Sequence, residues 1–428
     1  VSYGEKDNNL HDGTLIATGA EDTNIQIFAL SRRASNKHSI SPEADDSRTF
    51  EDESLDHNTF QSIATLKRHT TGLQHLQFSS SGSYLFSSAG CEEFYVWKLS
   101  FNVPCIGLGT VLWDIMPIEA GGESDARIMG FDAQGGEMLR TDNGERNETF
   151  LITMAYSTGK TKLMRYSPCS TSRNHGTFET LREITYGSFC VMQAFFLWPF
   201  PSLSPRHESP AQILSAGTNG FLNLSTLIEL NVPVQGLGLP QPRSELVVHR
   251  THQSSVLAMD VVALAERIFV IATGGDDNAL ALTVLRTPSK GFSHRFRTVL
   301  IPRAHAAAVT ALKIATHATD QSETGDVTAV VVTVGNDQRV RVWNVRVDLD
   351  QFCDDEEDRG LCEAIHITRA GSAWTSVADV SGIEIVPEKD ADHDLGADAC
   401  NSSERKPRSE HGVLVVGVGM ELLRMEWS

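Results

Sequence analysis

The sequence predicts an all-β fold, a propeller of about seven blades. Three observations carry that expectation. Apolar and polar residues alternate in runs of strand length along the 428 residues, and no segment sustains a 3.6-residue period. A unit of strand, strand, tight turn and strand recurs, with turn positions at Asp22, Cys91, Thr158, Asn219, Asp277 and Asp337, 58 to 69 residues apart. Between the units lie stretches of loop composition.

Taken in order, the first unit is GTLIATGAEDTNIQIFAL, with Thr18, Asp22 and Phe28. It lacks a leading His and a first strand, so the ring is expected to be incompletely closed at its N-terminal end. The second, RHTTGLQHLQFSSSGSYLFSSAGCEEFYVWKL, carries His69, Leu73, Ser87 and Trp97, with Cys91 at the turn. The third, FLITMAYSTGKTKLMRY, has no fixed register. The fourth, AQILSAGTNGFLNLSTL, offers Ser215, Asn219 and Ser225. The fifth has His252, Thr273 and Asp277, with Thr283 six residues after the Asp. The sixth is the fullest copy: His305, Thr333, Asp337 and Trp343. The seventh, VADVSGIEIV followed by VLVVGVGMELLRMEW, shows no turn Asp.

These units look like WD40 repeats. The spacing has a physical reason. A His imidazole, a Thr or Ser hydroxyl, a turn Asp and a Trp indole can form one hydrogen-bond chain, which is stabilising only when each member is satisfied. The plain repeat is roughly 40–45 residues long. The excess falls in insertions at about 31–58, 199–210, 231–245, 348–360 and 387–411, rich in Ser, Pro, Gly and acid. Such runs read as solvated loops. The whole chain, 1–428, reads as one propeller, expected to be the C-terminal one of a longer protein.

Acids outnumber bases 55 to 36, for a net charge of −19. That balance excludes nucleic-acid binding by bulk electrostatics, so any such contact is a local patch. No apolar run reaches the ~18 residues of a membrane span. Seven scattered Cys without a CxxC pair suggest reduced thiols in the cytosol or nucleus, and a cytoplasmic setting is expected. HExxH and GxSxG are absent. STGKT ends like a phosphate loop, but Met154 stands where its first Gly belongs. His249 and His252 lack further ligands for a metal. No catalytic, cofactor or metal site is expected.

One stretch breaks the acidic background. From Asn278 to Thr319 there is no Asp or Glu, while Arg286, Lys290, Arg295, Arg297, Arg303 and Lys313 fall there. Arg295 to Ile301 reads as an outer strand, on which Arg295 and Arg297 share a side. Arg286, Lys290, Arg295, Arg297 and Arg303 form either a patch for phosphates or an acidic partner, or a charged edge strand that resists aggregation.

Several strings together resemble a narrower family: GTLIATGAEDTNIQIFAL, SSAGCEEFYVWKL, RIMGFDAQ with FLITMAYS, THQSSVLAMDVV with TGGDDNALAL, and TSVADVSGIEIV with VVGVGMELLRM. They look like the C-terminal part of the WD repeat-containing protein 6 family and its fungal counterparts. TGAEDT, AGCEEF and VADVSG carry most of that likeness. The resemblance implies a non-catalytic partner of an FtsJ-like methyltransferase that modifies the ribose 2′-OH of the tRNA wobble nucleotide. tRNA itself would be a further partner. Without the resemblance, the units fit a generic adaptor in ubiquitin ligation or vesicle traffic, and less well a propeller hydrolase.

Overall fold

Strands form all the regular elements among the described residues of the computed structural model. Those residues are 2–4, 14–31, 59–103, 107–118, 125–135, 139–140, 146–169, 175–197, 211–227, 245–265, 267–287, 294–316, 326–348, 365–387 and 410–426. The predicted insertions fall outside them, apart from end residues, and so does Lys290.

Seven antiparallel sheets follow one another along the chain. Blade 1 is β1 (Ser2–Gly4), β2 (Thr14–Gly19), β3 (Asn24–Ser31) and β4 (Thr59–Lys67). Blade 2 is β5 (Leu73–Phe78), β6 (Tyr84–Ala89), β7 (Phe94–Val103) and β8 (Gly107–Ile115). Blade 3 joins β9 (Ile128–Gly135) to β12 (Phe150–Tyr156), β13 (Lys160–Ser167) and β14 (Thr177–Thr185), with a small hairpin of β10 (Leu139–Arg140) and β11 (Arg146–Asn147) inserted. Blade 4 is β15 (Val191–Leu197), β16 (Ala211–Gly217), β17 (Phe221–Leu227) and β18 (Glu245–Arg250). Blade 5 is β19 (Val256–Ala265), β20 (Ile268–Gly275), β21 (Leu280–Arg286) and β22 (Arg295–Ile301). Blade 6 is β23 (Val309–Thr316), β24 (Asp326–Gly335), β25 (Arg339–Asp348) and β26 (Ile365–Trp374). Blade 7 pairs β27 (Ala378–Pro387) with the long β28 (Glu410–Glu426).

Burial follows strand position. Second strands lie between two neighbouring blades and are apolar on both faces: all eight residues of β20 (IFVIATGG) are buried. Outer strands read differently; β14 (TFETLREIT) buries one residue of nine. The first strands touch in sequence, β1 to β5, β9, β15, β19, β23 and β27, and β27 returns to β1. They line a central channel. The core is divided among the seams between blades. The seam of blades 5 and 6 is the largest, with Val270, Leu282, Val284, Val331, Trp343 and Val345 among its members.

The structure corrects the first unit in two respects. It does have a first strand, β1, whose three residues pair with Ala17, Ile16 and Leu15. The ring is also closed. Ile16 and Leu30 of blade 1 pack against Val386, Leu414 and Val416 of blade 7. Among the described residues this seam holds by side-chain burial alone, since β27 and β28 accept no strand from blade 1. Fully burying side chains of this size stabilises by about 1.5–3 kcal/mol each, so five of them suffice without shared backbone bonds.

The third unit also gains its register. Gly159 N donates to Tyr156 O across the turn, and Met154 pairs with Phe131. Met154 thus occupies the place that Thr333 holds opposite Leu312 in blade 6. The string STGKT is this turn. Gly159 has φ +78°, and a Cβ there would fall 1.9 Å from the Gly187 carbonyl oxygen. The glycine serves the crossing of two backbones, not a phosphate.

Candidate functional site

One end of the ring carries the tight turns between second and third strands, together with the segments that enter each first strand. Side-chain networks tie these two kinds of loop together. In blade 6 the Trp343 indole N–H donates to Thr333 Oγ1 at 3.0 Å, and Thr333 lies 2.9 Å from His305 Nε2. His305 Nδ1 donates to Asp337 Oδ1 at 2.9 Å. Asp337 also accepts the backbone N–H of Ala306 at 2.9 Å and of Arg339 at 3.2 Å. This chain has one direction, indole to hydroxyl to imidazole to carboxylate, and it requires a neutral ring. Burial holds the His305 pKa below its ordinary value, only partly opposed by Asp337. Burial alone would raise the Asp337 carboxyl, but Ala306 N–H and His305 outweigh it and hold it low.

Blade 5 keeps three of the four members. His252 meets Asp277 and Thr273, each at 2.9 Å. Thr283 stands at the Trp place and bonds outward instead. Its hydroxyl lies 2.7 Å from that of Thr298, which lies 2.7 Å from His249 Nε2 on the outer strand of blade 4. His249 is thereby a link between blades. Among the described residues blade 1 retains Asp22, bonded to Asn24 within its own turn.

Four residues that sequence reasoning missed fill these places in blades 2, 4 and 7. In blade 2, Trp97 and His69 both reach Ser87, at 2.9 and 2.7 Å. Cys91 has the turn register but is exposed. Glu93, two residues on, takes the carboxylate role: it binds His69 Nδ1 at 3.0 Å, Thr70 N at 3.0 Å and the Thr70 hydroxyl. The longer Glu side chain covers the offset. In blade 7, Glu421 accepts Thr375 Oγ1 and Ser376 N, both at 2.7 Å. The turn acid expected to be missing is therefore present as Glu, with Thr375 where His stands elsewhere. In blade 4 that place belongs to Tyr186. Its N–H donates to Gly159 O at 2.9 Å, as His305 N donates to Asn278 O at 3.2 Å. The Tyr186 hydroxyl bridges Thr161 at 3.2 Å and Ser225 at 3.4 Å. The spacing of His, Thr375 and Tyr186 ahead of each first strand was the available signal.

The channel holds a second polar constellation. At equivalent register the first strands carry Gln77, Asp132, Phe195, Asp260 and Lys313. Three of these reach the next blade's backbone. Gln77 Oε1 accepts Ala133 N at 2.8 Å, Asp132 accepts Phe196 N at 3.0 Å, and Asp260 accepts Ile314 N at 2.8 Å. Lys313 lies 3.8 Å from Asp260 and 3.9 Å from Glu384 of blade 7. Water reaches 37% of its side chain through the channel, although protein surrounds it. Asp260 above all raises the Lys313 pKa. An ammonium so held is no nucleophile, and this cluster acts as a charged pin between three blades.

The four predicted bases among the described residues, Arg286, Arg295, Arg297 and Arg303, do not share one place. Arg286 and Arg295 are directly paired across strands at one end of blade 5. Arg303 follows the other end of β22, roughly 20 Å or more away at the ~3.3 Å rise of a strand. Arg297 lies between, paired with Val284.

Residues 60–98 match the family model of the WD domain, G-beta repeat. That segment is most of the outer strand of blade 1 plus the first two strands of blade 2 and the third up to Lys98. No curated protein matches the chain. The repeat and the seven-bladed ring together make this a WD-repeat propeller, a fold that serves as a scaffold for protein partners.

Proposed function

We propose that the chain is a non-catalytic scaffold subunit that seats an FtsJ-like tRNA ribose methyltransferase on its turn face, in the sector of blades 7, 1 and 2. One observation supports the sector. The three strings that carry the family likeness come together there: TGAEDT is the turn of blade 1, AGCEEF the turn of blade 2, and VADVSG the entry into blade 7. Glu21, Asp22 and Asp379 are exposed within them. An enzyme that holds a polyanionic tRNA carries basic surface, and these acids are its complement. The Asn24 side chain and N–H hold the Asp22 pKa low, so it stays charged. The networks of His69 and Glu93 and of Thr375 and Glu421 fix the loops of blades 2 and 7, so the face is preorganised.

The test is complex formation between the full chain and a purified FtsJ-like tRNA methyltransferase. Binding is expected, with Glu21→Arg and Asp379→Arg together weakening it at least ~10-fold, about 1.4 kcal/mol. No complex with the wild-type chain would end the methyltransferase reading. A complex indifferent to both reversals would move the seat elsewhere on the ring.

A further inference from the structure

The groove between the outer strands of blades 5 and 6 differs in charge from the rest of the surface. Val299 and Ile301 pack into the seam of these two blades, so strand alternation puts Arg295 and Arg297 on the same side. From blade 6, Trp343 and Val345 enter that seam, which turns Arg339 and Arg341 toward the groove as well. Arg339 pairs across strands with Trp374, and Trp343 with Arg369. The Arg339 guanidinium lies 3.7 Å from the centroid of the Trp374 ring, which is 61% exposed. Arg295 and Arg369 are exposed. The facing outer strands, RFRTVLI and IHITRAGSAW, contain no carboxylate. Asp337, beside Arg341 at 3.4 Å, is held by His305 and two backbone N–H groups. In a chain of net charge −19 this concentration of guanidinium is local, and the two outer strands that wall the groove add no carboxylate to it.

We propose that this groove docks an extended acidic segment of a partner protein, its carboxylates on the arginines and its apolar side chains on the floor. The proposal rests on the scaffold reading and adds a second surface to it. Arginine forks match carboxylates in bidentate geometry, and Trp and Arg dominate the energetics of protein interfaces. A single-stranded nucleic acid would also find guanidinium and a stacking ring here. The floor decides between them. Val299, Ile301 and Ile367 are half-buried aliphatics, which suit a Leu or Val side chain and offer nothing to a sugar-phosphate chain.

The experiment measures fluorescence anisotropy of the full chain with three labelled probes. They are a twelve-residue peptide alternating Glu with Leu, its Gln counterpart, and a twelve-nucleotide oligouridylate. The Glu peptide is expected to bind at least ~10-fold more tightly than the other two, with affinity falling as salt rises. Arg295→Glu with Arg369→Glu should cost ~10-fold or more at unchanged melting temperature. Trp374→Ala should weaken binding, and Trp374→Phe should restore most of it. Equal binding of the Glu and Gln peptides, or indifference to the charge reversals, overturns the proposal. So does oligouridylate that binds more tightly and displaces the peptide. Failure of the wild-type chain to bind the Glu peptide while the methyltransferase complex forms overturns the groove alone. The reverse outcome overturns the methyltransferase seat alone.

Discussion

Asp337→Ala isolates the worth of one turn lock. The carboxylate accepts four donors: His305 Nδ1, Ala306 N, Arg339 N and, at 3.4 Å, Arg341 Nη2. They are not equal. The His305 side chain is fully buried, so its N–H is stranded away from water, at about 1–3 kcal/mol. The two backbone N–H groups lie at the surface end of the blade, and water recovers most of their loss, leaving about 0.5 kcal/mol each. The Arg341 contact is long and adds little. The sum is about 2–4 kcal/mol, a large share of the ~5–15 kcal/mol that holds an ordinary domain. The assay is urea unfolding, followed by Trp fluorescence, of the variant and of Trp343→Phe. The indole sits at the far end of the same chain, so the double variant should lose less than the sum of the singles. A loss below ~0.5 kcal/mol for Asp337→Ala, or strict additivity, would refute the idea of a single directed chain.

Stability should fall with acid, in a window set by histidines that the fold keeps neutral. Burial pushes His75 down to about 3, so the unfolded chain takes up a proton below pH ~6.5 that the folded one refuses, at about 1.4 kcal/mol per pH unit. His69, His249 and His305, also lowered by burial, add to the slope just below 6.5. Burial raises Glu384 and Asp132, which act in the opposite sense as pH climbs past their ordinary values. His75→Phe should flatten the slope of unfolding free energy between pH 6 and 4 by about one proton; an unchanged slope would mean that His75 charges in the fold. Glu93→Ala should destabilise blade 2 by about 2 kcal/mol, while Cys91→Ser stays within ~0.5, as read by thermal melts; the reverse order would restore the carboxylate role to the turn position. Lys313→Met should cost about 1–3 kcal/mol, discounted for its partial exposure, and adding Glu384→Leu should recover part of it in urea titration. Gly159→Ala should be among the most damaging single-methyl additions, with a drop in melting temperature of several degrees, because the Cβ would strike the Gly187 carbonyl.

The repeat was legible wherever the residue of the network stands at its own position. His305, Thr333, Asp337 and Trp343 could be found by counting, and the structure joins all four. Counting fails where a longer side chain acts from an offset position. Glu93 reaches back two residues past Cys91, and Glu421 does the work of an Asp on a strand expected to have none. It fails again where another chemistry fills the place, as Tyr186 and Thr375 do for His. The basic surface was only half visible. Arg295 and Arg297 stand out in an acid-free stretch, but their counterparts Arg339, Arg369 and Trp374 lie on another blade. No one-dimensional pattern brings the two walls together; that takes the packing of Val299 and Ile301 into the seam that Trp343 also enters.

The reach of Gln77, Asp132 and Asp260 into the following blade has a consequence for how the ring comes apart. Each acceptor holds an amide that belongs to its successor: Ala133, Phe196 and Ile314. Protection of such an amide against hydrogen exchange is then a property of its predecessor. Loosening blade 3 uncovers an amide in blade 4, and loosening blade 5 uncovers one in blade 6. Nearest-neighbour arrays behave this way, with fraying that spreads from unit to unit, but here the dependence points one way around the circle. An exchange map of Asp132→Asn would show it directly, as faster exchange at Phe196 than at residues of blade 3 equally distant from the substitution.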